Sequence, residues 1–388
     1  MIDLTVVTFW LAVAFLFYIY AGFPLLVGAV GLWLRRHVDK SPITPPISLI
    51  IAAYNEEDTI AERLDNALAL DYPADRLQII VASDGSSDAT GRIVSGYTPR
   101  GVMLLSLPRA GKIHALTAAV RHATGDVLVF SDANTMCEPR ALRALAANFA
   151  DASVGGVAGH TTYRLHSTTE SSSRGEHLYW RYDTWLKTLE SLTGSTVSAH
   201  GGLYAVRRNL FSPGTDTAVT DDFAISTGVI AAGYRLVFEP AALASEFAVS
   251  QAQREFRRRV RLMTRGFRGV VMRRELLNPR RSGFYSVVLF SHKVARRLAP
   301  VALIALAIAS AILWSRSPFY LAAAIAQALF YLLAIAGFLL RRWRIGALKP
   351  AYVPFYFCLA NAASAVALFE LLRGRRIELW QPQRRTAG

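Results

Sequence analysis

The 388-residue sequence has only two cysteines, Cys137 and Cys358, and they lie far apart. They provide neither a disulfide framework nor the spacing of a metal-binding motif. The sequence also lacks internal repeats and low-complexity tracts. No small-residue cleavage site follows the first apolar stretch, so we interpret this stretch as an anchor and not as a removed signal peptide.

Acidic residues are also scarce: 28 acidic residues stand against 43 basic ones, which gives a formal net charge of +15. Such an excess indicates nucleic acid, anionic lipid or anionic small molecules as partners. Because 53% of the residues are hydrophobic and long apolar runs are present, lipid is favoured over nucleic acid. We therefore expect membrane lipids among the partners and no nucleic acid.

The first apolar run covers residues 4–34 and is followed by Arg35 and Arg36. About 20 apolar residues cross a bilayer as a helix, and basic residues mark the cytoplasmic end of such a helix. The run therefore predicts that the N-terminus lies outside and the following domain in the cytoplasm. We expect a multi-pass protein of the cell inner (plasma) membrane whose catalytic domain is cytoplasmic.

Further apolar runs lie at about residues 298–314, 318–340 and 351–372. The first two are predicted to form a tight helical pair. The third is ambiguous, because a spanning helix would place the basic tail outside, against the positive-inside rule. A re-entrant or in-plane helix would keep the tail in the cytoplasm, and the sequence leaves both arrangements open.

Between Ile47 and about Leu243, short apolar segments alternate with helical segments, which is typical of a mostly parallel sheet. The predicted strands are Ile47–Ala53, Leu77–Ser83, Gly101–Ser106 and Val127–Ser131. The expected fold is α/β and Rossmann-like, with its ligand crevice outside the carboxyl ends of the strands.

The composition divides the chain into four parts. The segment 250–295 is rich in arginine and has apolar residues at helical spacing, which predicts helices lying on an anionic membrane surface. The four parts are a transmembrane anchor (1–36), the α/β domain (37–249), basic amphipathic interfacial helices (250–295) and C-terminal transmembrane helices with a basic tail (296–388).

Polar side chains follow each predicted strand. Because the carboxyl ends of parallel strands meet at one edge of a sheet, we expect these side chains to converge on one crevice. Carboxylate and amide oxygens can hold a divalent cation there, and a lysine at a helix N-terminus suits a diphosphate. Each turn alone also fits an Asx-turn or a helix cap. The residues are Tyr54, Glu56, Asp84, Lys112, Asp132 and Asn134.

In combination, these strand ends resemble a known family. The segments Ala-Tyr-Asn-Glu, Asp-Gly-Ser-Ser-Asp, Gly-Lys and Asp-x-Asn are similar to motifs of the inverting family-2 glycosyltransferases with the GT-A fold. Membrane-bound members include the synthases of cellulose, hyaluronan and poly-N-acetylglucosamine. The resemblance runs from the first anchor through the terminal helices.

The resemblance implies a role for each donor-side position. Asp132 would be the first acid of the Asp-x-Asp motif and would contact both nucleotide and metal. Asn134 would be a neutral ligand in place of the second acid, and the metal would be Mg²⁺ or Mn²⁺. The other implied donor contacts are Tyr54, Glu56 and Asp84 at the nucleoside and Lys112 near the diphosphate, and Arg259 is a further donor-side candidate.

Two further segments resemble the acceptor side of the family. His200, Gly201 and Gly202 are similar to its glycine-rich acceptor loop, where glycines let backbone approach a sugar. For His200, a hydrogen bond to backbone in a turn is an equally open interpretation. Asp222 matches the second acid of the Thr-Glu-Asp motif, the general base, and Asp221 would orient the acceptor loop.

The family's last motif, Gln-x-x-Arg-Trp, is degraded in this sequence. The corresponding frame is Arg259 to Met263, and no tryptophan stands where an acceptor sugar would stack. Arg259 or Arg261 is the remaining candidate for a diphosphate contact. Trp380 in the tail is the candidate replacement for the missing tryptophan, so processive synthesis stays an open question.

These residues and the resemblance predict an inverting transfer of a sugar from a nucleotide-sugar donor, with a UDP-sugar as the expected type. The acceptor would be a growing polysaccharide or a lipid-linked glycan at the cytoplasmic membrane face. One alternative is transfer of a single sugar to polyprenyl phosphate or another lipid. Another is a nucleotide-binding pseudoenzyme that serves as a scaffold, with export or accessory subunits as partners.

Overall fold

The computed structural model describes residues 3–164, 171–214, 216–247, 252–340, 343 and 348–374. Its central element is a sheet with the strand order β3-β2-β1-β4-β7-β6-β8-β5. The strands are β1 (Ile47–Ala53), β2 (Leu77–Asp84), β3 (Val102–Leu107), β4 (Val127–Asp132), β5 (Met136–Cys137), β6 (Val154–Arg164), β7 (Tyr204–Arg207) and β8 (Arg235–Phe247).

Parallel pairing dominates the sheet. β1 pairs with β2 and β4, β2 with β3, and β6 with β8, all in parallel. β7 runs antiparallel to β4 and β6, and the short β5 runs antiparallel to β8. The predicted α/β class is confirmed, and the four predicted strands end within one residue of the observed ones.

Helices cover both faces of the sheet. In β1, Leu49 and Ile51 face one apolar core, whereas Ile50 and Ala52 face another. A strand buried on both faces explains the unbroken apolar sequence. The helices are α1 (Leu4–Phe17), α2 (Phe23–Leu34), α3 (Ile60–Leu68), α4 (Thr90–Ser95), α5 (Lys112–His122), α6 (Ala141–Ala147), α7 (Ser171–Thr193), α8 (Asp221–Ala231), α9 (Ala252–Met272), α10 (Pro279–Ser282), α11 (Tyr285–Leu289), α12 (Ala299–Leu313), α13 (Pro318–Leu339) and α14 (Lys349–Leu372).

Some helical stretches are long and apolar enough to cross a membrane. The run predicted at 298–314 is only the second half of such a stretch. Its first half was missed because Ser291, His292 and Lys293 interrupt the apolar pattern. Within the described residues the four stretches are Leu4–Leu34, Tyr285–Leu313, Pro318–Leu339 and Lys349–Leu372.

The last helix, α14, lies beside α9 and the start of α12. The Ser364 hydroxyl donates a hydrogen bond to the Arg297 carbonyl oxygen at 2.9 Å. At the far end, the Arg268 guanidinium donates to the Gly374 carbonyl oxygen at 3.1 Å. Both contacts join α14 to the basic segments that precede α12. α14 also packs against α13, where the ring centroids of Phe338 and Phe355 lie 5.8 Å apart.

Candidate active site

Asp84 at the end of β2 is almost fully buried, with 1% of its side chain exposed. Its carboxylate accepts hydrogen bonds from the backbone N–H groups of Ala110 at 2.8 Å and Gly111 at 3.0 Å, and it pairs with the Arg109 guanidinium. The same guanidinium lies 3.4 Å from the centroid of the Tyr54 ring. Two predicted nucleoside contacts, Tyr54 and Asp84, are therefore joined through Arg109.

The turn after β2 requires glycine. Gly85 has a φ of +69°, and a Cβ at this position would lie 2.7 Å from the Arg109 backbone nitrogen. A side chain there would be strained and would also push the third strand connection away. Gly85 thus lets the Arg109 loop close over Asp84.

Lys112, the first residue of α5, bridges two carboxylates. Its Nζ lies 2.6 Å from Asp132 Oδ1 and 2.9 Å from Asp221 Oδ2. Burial alone would lower the pKa of Lys112, but the two carboxylates raise it above its ordinary value. This bridge fastens the end of β4 to the start of α8, so three residues distant in sequence form one network.

Two more carboxyl groups surround Asp132. Burial raises the pKa of Glu56 to about 7, and Asp132 adds to this effect, although the Thr59 hydroxyl donates a hydrogen bond to Glu56 at 3.0 Å. Burial also raises the pKa of Asp132, although Lys112 opposes the shift. Glu56 is 7% exposed and is close enough to Asp132 for the two charges to interact.

Glu246 lies on the other side of the network and was not predicted. Burial and the charge of Asp132 raise the pKa of Glu246 to about 7, and its Oε1 accepts a hydrogen bond from the Thr135 hydroxyl at 2.8 Å. A Cβ at Gly202 would lie 2.6 Å from this Oε1 and 2.7 Å from Thr161 Oγ1. The second glycine of the predicted acceptor loop is therefore required by close packing.

Gly201, in the same predicted acceptor loop, lies next to Asp132 of the network. A Cβ at Gly201 would lie 3.3 Å from Asp132 Oδ2. His200 Nδ1 accepts a hydrogen bond from the Gly202 backbone N–H at 3.3 Å, which is the turn interpretation of this histidine. Burial and the positive charge of Lys187 lower the pKa of His200 to about 3, so its ring is neutral.

Asp222 follows Asp221 in sequence, but the two side chains face different parts of the site. Asp222 Oδ1 accepts a hydrogen bond from the Phe223 backbone N–H at 2.7 Å. Its side chain lines a cavity of about 610 Å³, together with His200 and Arg259. The start of α8 thus sends one carboxylate to Lys112 and the next into the cavity.

The remaining predicted site residues are Arg259, Asn134 and Trp380. Arg259 lines the cavity and bonds the Tyr356 hydroxyl, with its guanidinium 4.8 Å from the centroid of that ring. Asn134 is half-buried in a turn after β4 ends at Asp132, so strand alternation does not align the two side chains. Trp380 lies outside the described residues.

Residues 48–213 match the profile of Glycosyl transferase family 2. The chain contains a family 2 glycosyltransferase domain. This finding confirms the resemblance that the strand-end motifs predicted.

Curated relatives of the family 2 domain are similar over part of their length. A poly-beta-1,6-N-acetyl-D-glucosamine synthase from Staphylococcus aureus is 27% identical over 248 residues, which is 59% of this chain and 58% of the relative. A probable glycosyltransferase from Bacillus subtilis is 29% identical over 214 residues, 52% of this chain and 50% of the relative. The chain thus matches between 50% and 58% of the length of these relatives.

A solved structure resembles nearly the whole chain. It is a mannosyltransferase from Pyrobaculum calidifontis in complex with GDP-Man and Mn²⁺, with a TM-score of 0.70 and 25% sequence identity. The likeness covers 95% of this chain and 100% of the other. It confirms the GT-A fold, and its coverage extends beyond the family 2 domain into the apolar helices.

The residues beside Asp132 are compatible with a divalent cation that would take most of its ligands from the substrate. Among the residues that the structure describes, no group of three or more His, Cys, Asp or Glu side chains is placed to hold a metal. Asp132 has Oδ1 on Lys112 and Oδ2 beside Gly201. Mg²⁺ is commonly bound by one or two carboxylates together with substrate phosphates, so Asp132 would hold such a cation together with a nucleotide diphosphate.

Sequence reasoning missed three residues of this site. Arg109 was visible beside the Gly-Lys pair, but nothing marked its contact with Asp84. Tyr204 stacks on Phe130 with ring centroids 5.0 Å apart, and its buried hydroxyl has no hydrogen-bond partner among the described residues. Glu246 carried no local signal, because only the fold of β8 brings it to the network.

Proposed function

We propose that this protein transfers a sugar from a nucleotide-sugar donor to a hydroxyl group of a glycan or lipid-linked acceptor, with inversion at the anomeric carbon. The proposal rests on one observation: two adjacent carboxylates at the start of α8 face different parts of the site. Asp221 pairs with Lys112 at 2.9 Å on the donor side, while Asp222 lines the cavity. A carboxylate that faces a space large enough for an acceptor is what an inverting displacement requires as its base. The other carboxylate that lines the cavity, Asp183, is paired with Lys187 at 3.0 Å.

The donor would lie over the carboxyl ends of β1, β2 and β4. Tyr54 and Arg109 offer a flat surface for the base, and Asp84 anchors Arg109. Lys112 at the N-terminus of α5 would hold the diphosphate, because the helix end and the ammonium both attract anions. A divalent cation at Asp132, Mg²⁺ or Mn²⁺, would neutralise charge on the leaving diphosphate when it is bound.

Asp222 would act as the general base. The acceptor oxygen forms a bond to the anomeric carbon as the bond from that carbon to the diphosphate oxygen breaks. The proton of the acceptor hydroxyl passes to Asp222, and the nucleoside diphosphate leaves. A positioned base contributes about 10²- to 10⁴-fold to such a rate.

The acceptor class follows less directly from the site. Polysaccharide synthesis and addition of one sugar to a polyprenyl phosphate or another lipid use the same chemistry, and product length separates them on a gel. A nucleotide-binding scaffold without turnover is disfavoured, because Asp132 and Asp222 are both in place beside the donor crevice and the cavity.

We also propose that the family 2 domain lies on the cytoplasmic face, with α14 in the plane of the membrane. Its bonds to α9 and to the start of α12 support this placement. Single cysteines placed at Lys349 and Leu372 should then react with the same membrane-impermeant reagent from the same side. Labelling from opposite sides would show that α14 crosses.

The test of function uses the Asp222→Asn variant and a screen of UDP- and GDP-sugars with protein in nanodiscs. We expect about 10²- to 10⁴-fold slower transfer, with nucleotide affinity unchanged because Asp222 is not part of the Lys112 network. Asp75→Asn is the matched control, since this side chain is 81% exposed. Transfer at the unchanged rate in Asp222→Asn would remove Asp222 as the base.

A further inference from the structure

The side chain of Tyr204, the first residue of β7, is completely buried, yet its hydroxyl group has no hydrogen-bond partner within the described residues. A buried phenol of this kind is unusual, because its hydroxyl has lost its hydrogen bonds to water without gaining others. Such a group requires an explanation, and one explanation is a partner that it bonds in another state of the site. The surroundings of the hydroxyl therefore decide what it can bond.

Tyr204 lies at the edge of the sheet where the donor-side residues meet. It is opposite Phe130 in the antiparallel pair of β7 and β4, and the two rings stack with their centroids 5.0 Å apart. Both rings belong to an apolar core that also contains residues of α5 and α8. The Tyr204 ring therefore packs between the sheet and the two helices whose first residues are Lys112 and Asp221.

Three carboxylates act on the hydroxyl of Tyr204. Burial and the negative charges of Asp221, Asp222 and Asp132 raise the pKa of Tyr204 well above its ordinary value, and Asp221 has the largest effect of the three carboxylates. The hydroxyl therefore keeps its proton and can donate a hydrogen bond. Tyr204 is thus a donor within the electrostatic influence of acceptors that it does not bond in this structure.

Among these acceptors, Asp221 has an oxygen without a hydrogen bond. Its Oδ2 lies 2.9 Å from Lys112 Nζ, but this ion pair lacks hydrogen-bond geometry, and the buried Oδ2 accepts no hydrogen bond from the described residues. The contact of Lys112 with Asp132 is shorter, at 2.6 Å, and is a hydrogen bond. In the described part of the chain, Lys112 is the one cation paired with Asp221. The Asp221 contact is therefore the weaker of the two that Lys112 makes.

The proposed function requires the Lys112 ammonium to bond oxygens of the donor diphosphate. The ammonium has three N–H donors, and Asp132 and Asp221 already lie beside it. A diphosphate competes most easily for the contact with the poorer geometry, which is the contact with Asp221. If Lys112 turned away, Asp221 would be a largely buried carboxylate without its cation, and loss of one member of such a pair is costly.

We propose that Tyr204 is a positioning residue that bonds Asp221 when Lys112 turns to the donor diphosphate. In that state, the Tyr204 hydroxyl donates a hydrogen bond to Asp221 Oδ2. The inference rests on the proposed function, since it assigns a role to a further residue of that same site. Because Asp221 and Asp222 are adjacent at the start of α8, the new bond holds the helix end, and with it the Asp222 carboxylate, in place while the donor is bound.

The test compares Tyr204→Phe with the wild type in detergent, by thermal unfolding and by binding of UDP and GDP with Mg²⁺, with no transfer reaction. Without nucleotide, the Tm should be unchanged or higher, because the removed hydroxyl bonds nothing. The affinity for the nucleotide that the wild type binds should fall about tenfold, because a hydrogen bond to a charged group is lost from the bound state alone. A lower Tm or an unchanged affinity would indicate a purely structural tyrosine, and either result would overturn the inference.

Tyr72→Phe is the matched control. Tyr72 is also buried, but its hydroxyl donates a hydrogen bond to the Pro45 carbonyl oxygen at 2.6 Å. Pro45 precedes β1, so this bond lies at the edge of the sheet opposite the donor site. The control should show the reverse pattern, a lower Tm with unchanged nucleotide affinity. An equal loss of affinity in both variants would contradict a specific role for Tyr204.

A double-mutant cycle with Asp221→Asn tests the proposed partner. If Tyr204 acts through the Asp221 carboxylate, Tyr204→Phe should weaken nucleotide binding less than twofold in the Asp221→Asn background. An undiminished tenfold loss in that background would overturn the inference, because the hydroxyl would then act on another group. Since no sugar is transferred, failure of the proposed chemistry would appear separately, as absent turnover with these binding results intact, whereas a wild type that binds neither nucleotide would overturn both.

Discussion

The donor side and the acceptor side of Asp222 differ in how their charged side chains are arranged. On the donor side, cations and carboxylates are paired with each other: Arg109 with Asp84, and Lys112 with Asp132 and Asp221. On the acceptor side, the cavity has more cations than carboxylates and an apolar wall. Ion pairs fix the side chains of the donor side, whereas the acceptor side encloses a cavity of about 610 Å³.

This difference follows from the elements that supply each side. The strand ends belong to a buried parallel sheet, and ion pairs hold their side chains in place. The cavity is formed by α7, α8, α9, α14 and the segment before α12, which meet only in the tertiary fold. A rigid donor side and an accommodating acceptor side suit an enzyme with one small donor and a bulky acceptor.

The largest effect should come from breaking the donor-side pairing with Lys112→Met. The change leaves the Asp132 and Asp221 carboxylates facing each other without a cation, and removal of one member of a buried pair costs about 3–5 kcal/mol. We expect a lower Tm in detergent and weaker nucleotide binding. Lys349→Met is the control, since Lys349 is exposed. An unchanged Tm in Lys112→Met would contradict the paired donor side.

A second test uses the pH dependence of stability in Glu246→Gln. Burial raises the pKa of Glu246 to about 7 from an ordinary value of 4.5. Between these values the folded protein keeps a proton that the unfolded chain loses, so stability falls as the pH rises from about 4.5 to about 7.

The Glu246→Gln variant lacks this pH-dependent loss of stability, because glutamine does not titrate. Relative to the wild type, its unfolding free energy should therefore rise by about 3 kcal/mol across the window, and thermal melts at pH 5 and pH 7 would show the trend. If the difference in unfolding free energy between wild type and variant did not change with pH, Glu246 would not be held in its protonated form.

A smaller effect is expected from Gly202→Ala. The new methyl group would lie 2.6 Å from Glu246 Oε1 and 2.7 Å from Thr161 Oγ1, and such overpacking costs about 1–3 kcal/mol. Gly91→Ala is the matched control, because nothing lies within 4 Å of a Cβ at that helical position. Equal melting temperatures for the two variants would show that the acceptor loop has room to move.

The sequence predicted the parts of the site that depend on local pattern. Asp84, Lys112 and Asp132 were found because each follows an apolar strand, and parallel strands bring their ends together. The pairing of Lys112 with Asp221 was not visible, since it joins α5 to α8 across more than a hundred residues. Glu246 also reaches the network only through the packing of β8 in the sheet.

Prediction of the apolar helices from the sequence has the same limit. The apolar run beginning near residue 298 was predicted too short, because Ser291, His292 and Lys293 interrupt its first part. Those polar residues break the hydropathy pattern, and two of them, His292 and Lys293, line the cavity. In this chain, the departure from the expected pattern marks the proposed acceptor site.

The central claim is that one carboxylate, Asp222, serves a single displacement between the two sides. The most direct measurement is the anomeric configuration of the first transferred sugar, read from proton NMR of the product formed with an active nucleotide-sugar donor. The account predicts a configuration opposite to that of the donor. A product with the donor's own configuration would contradict it.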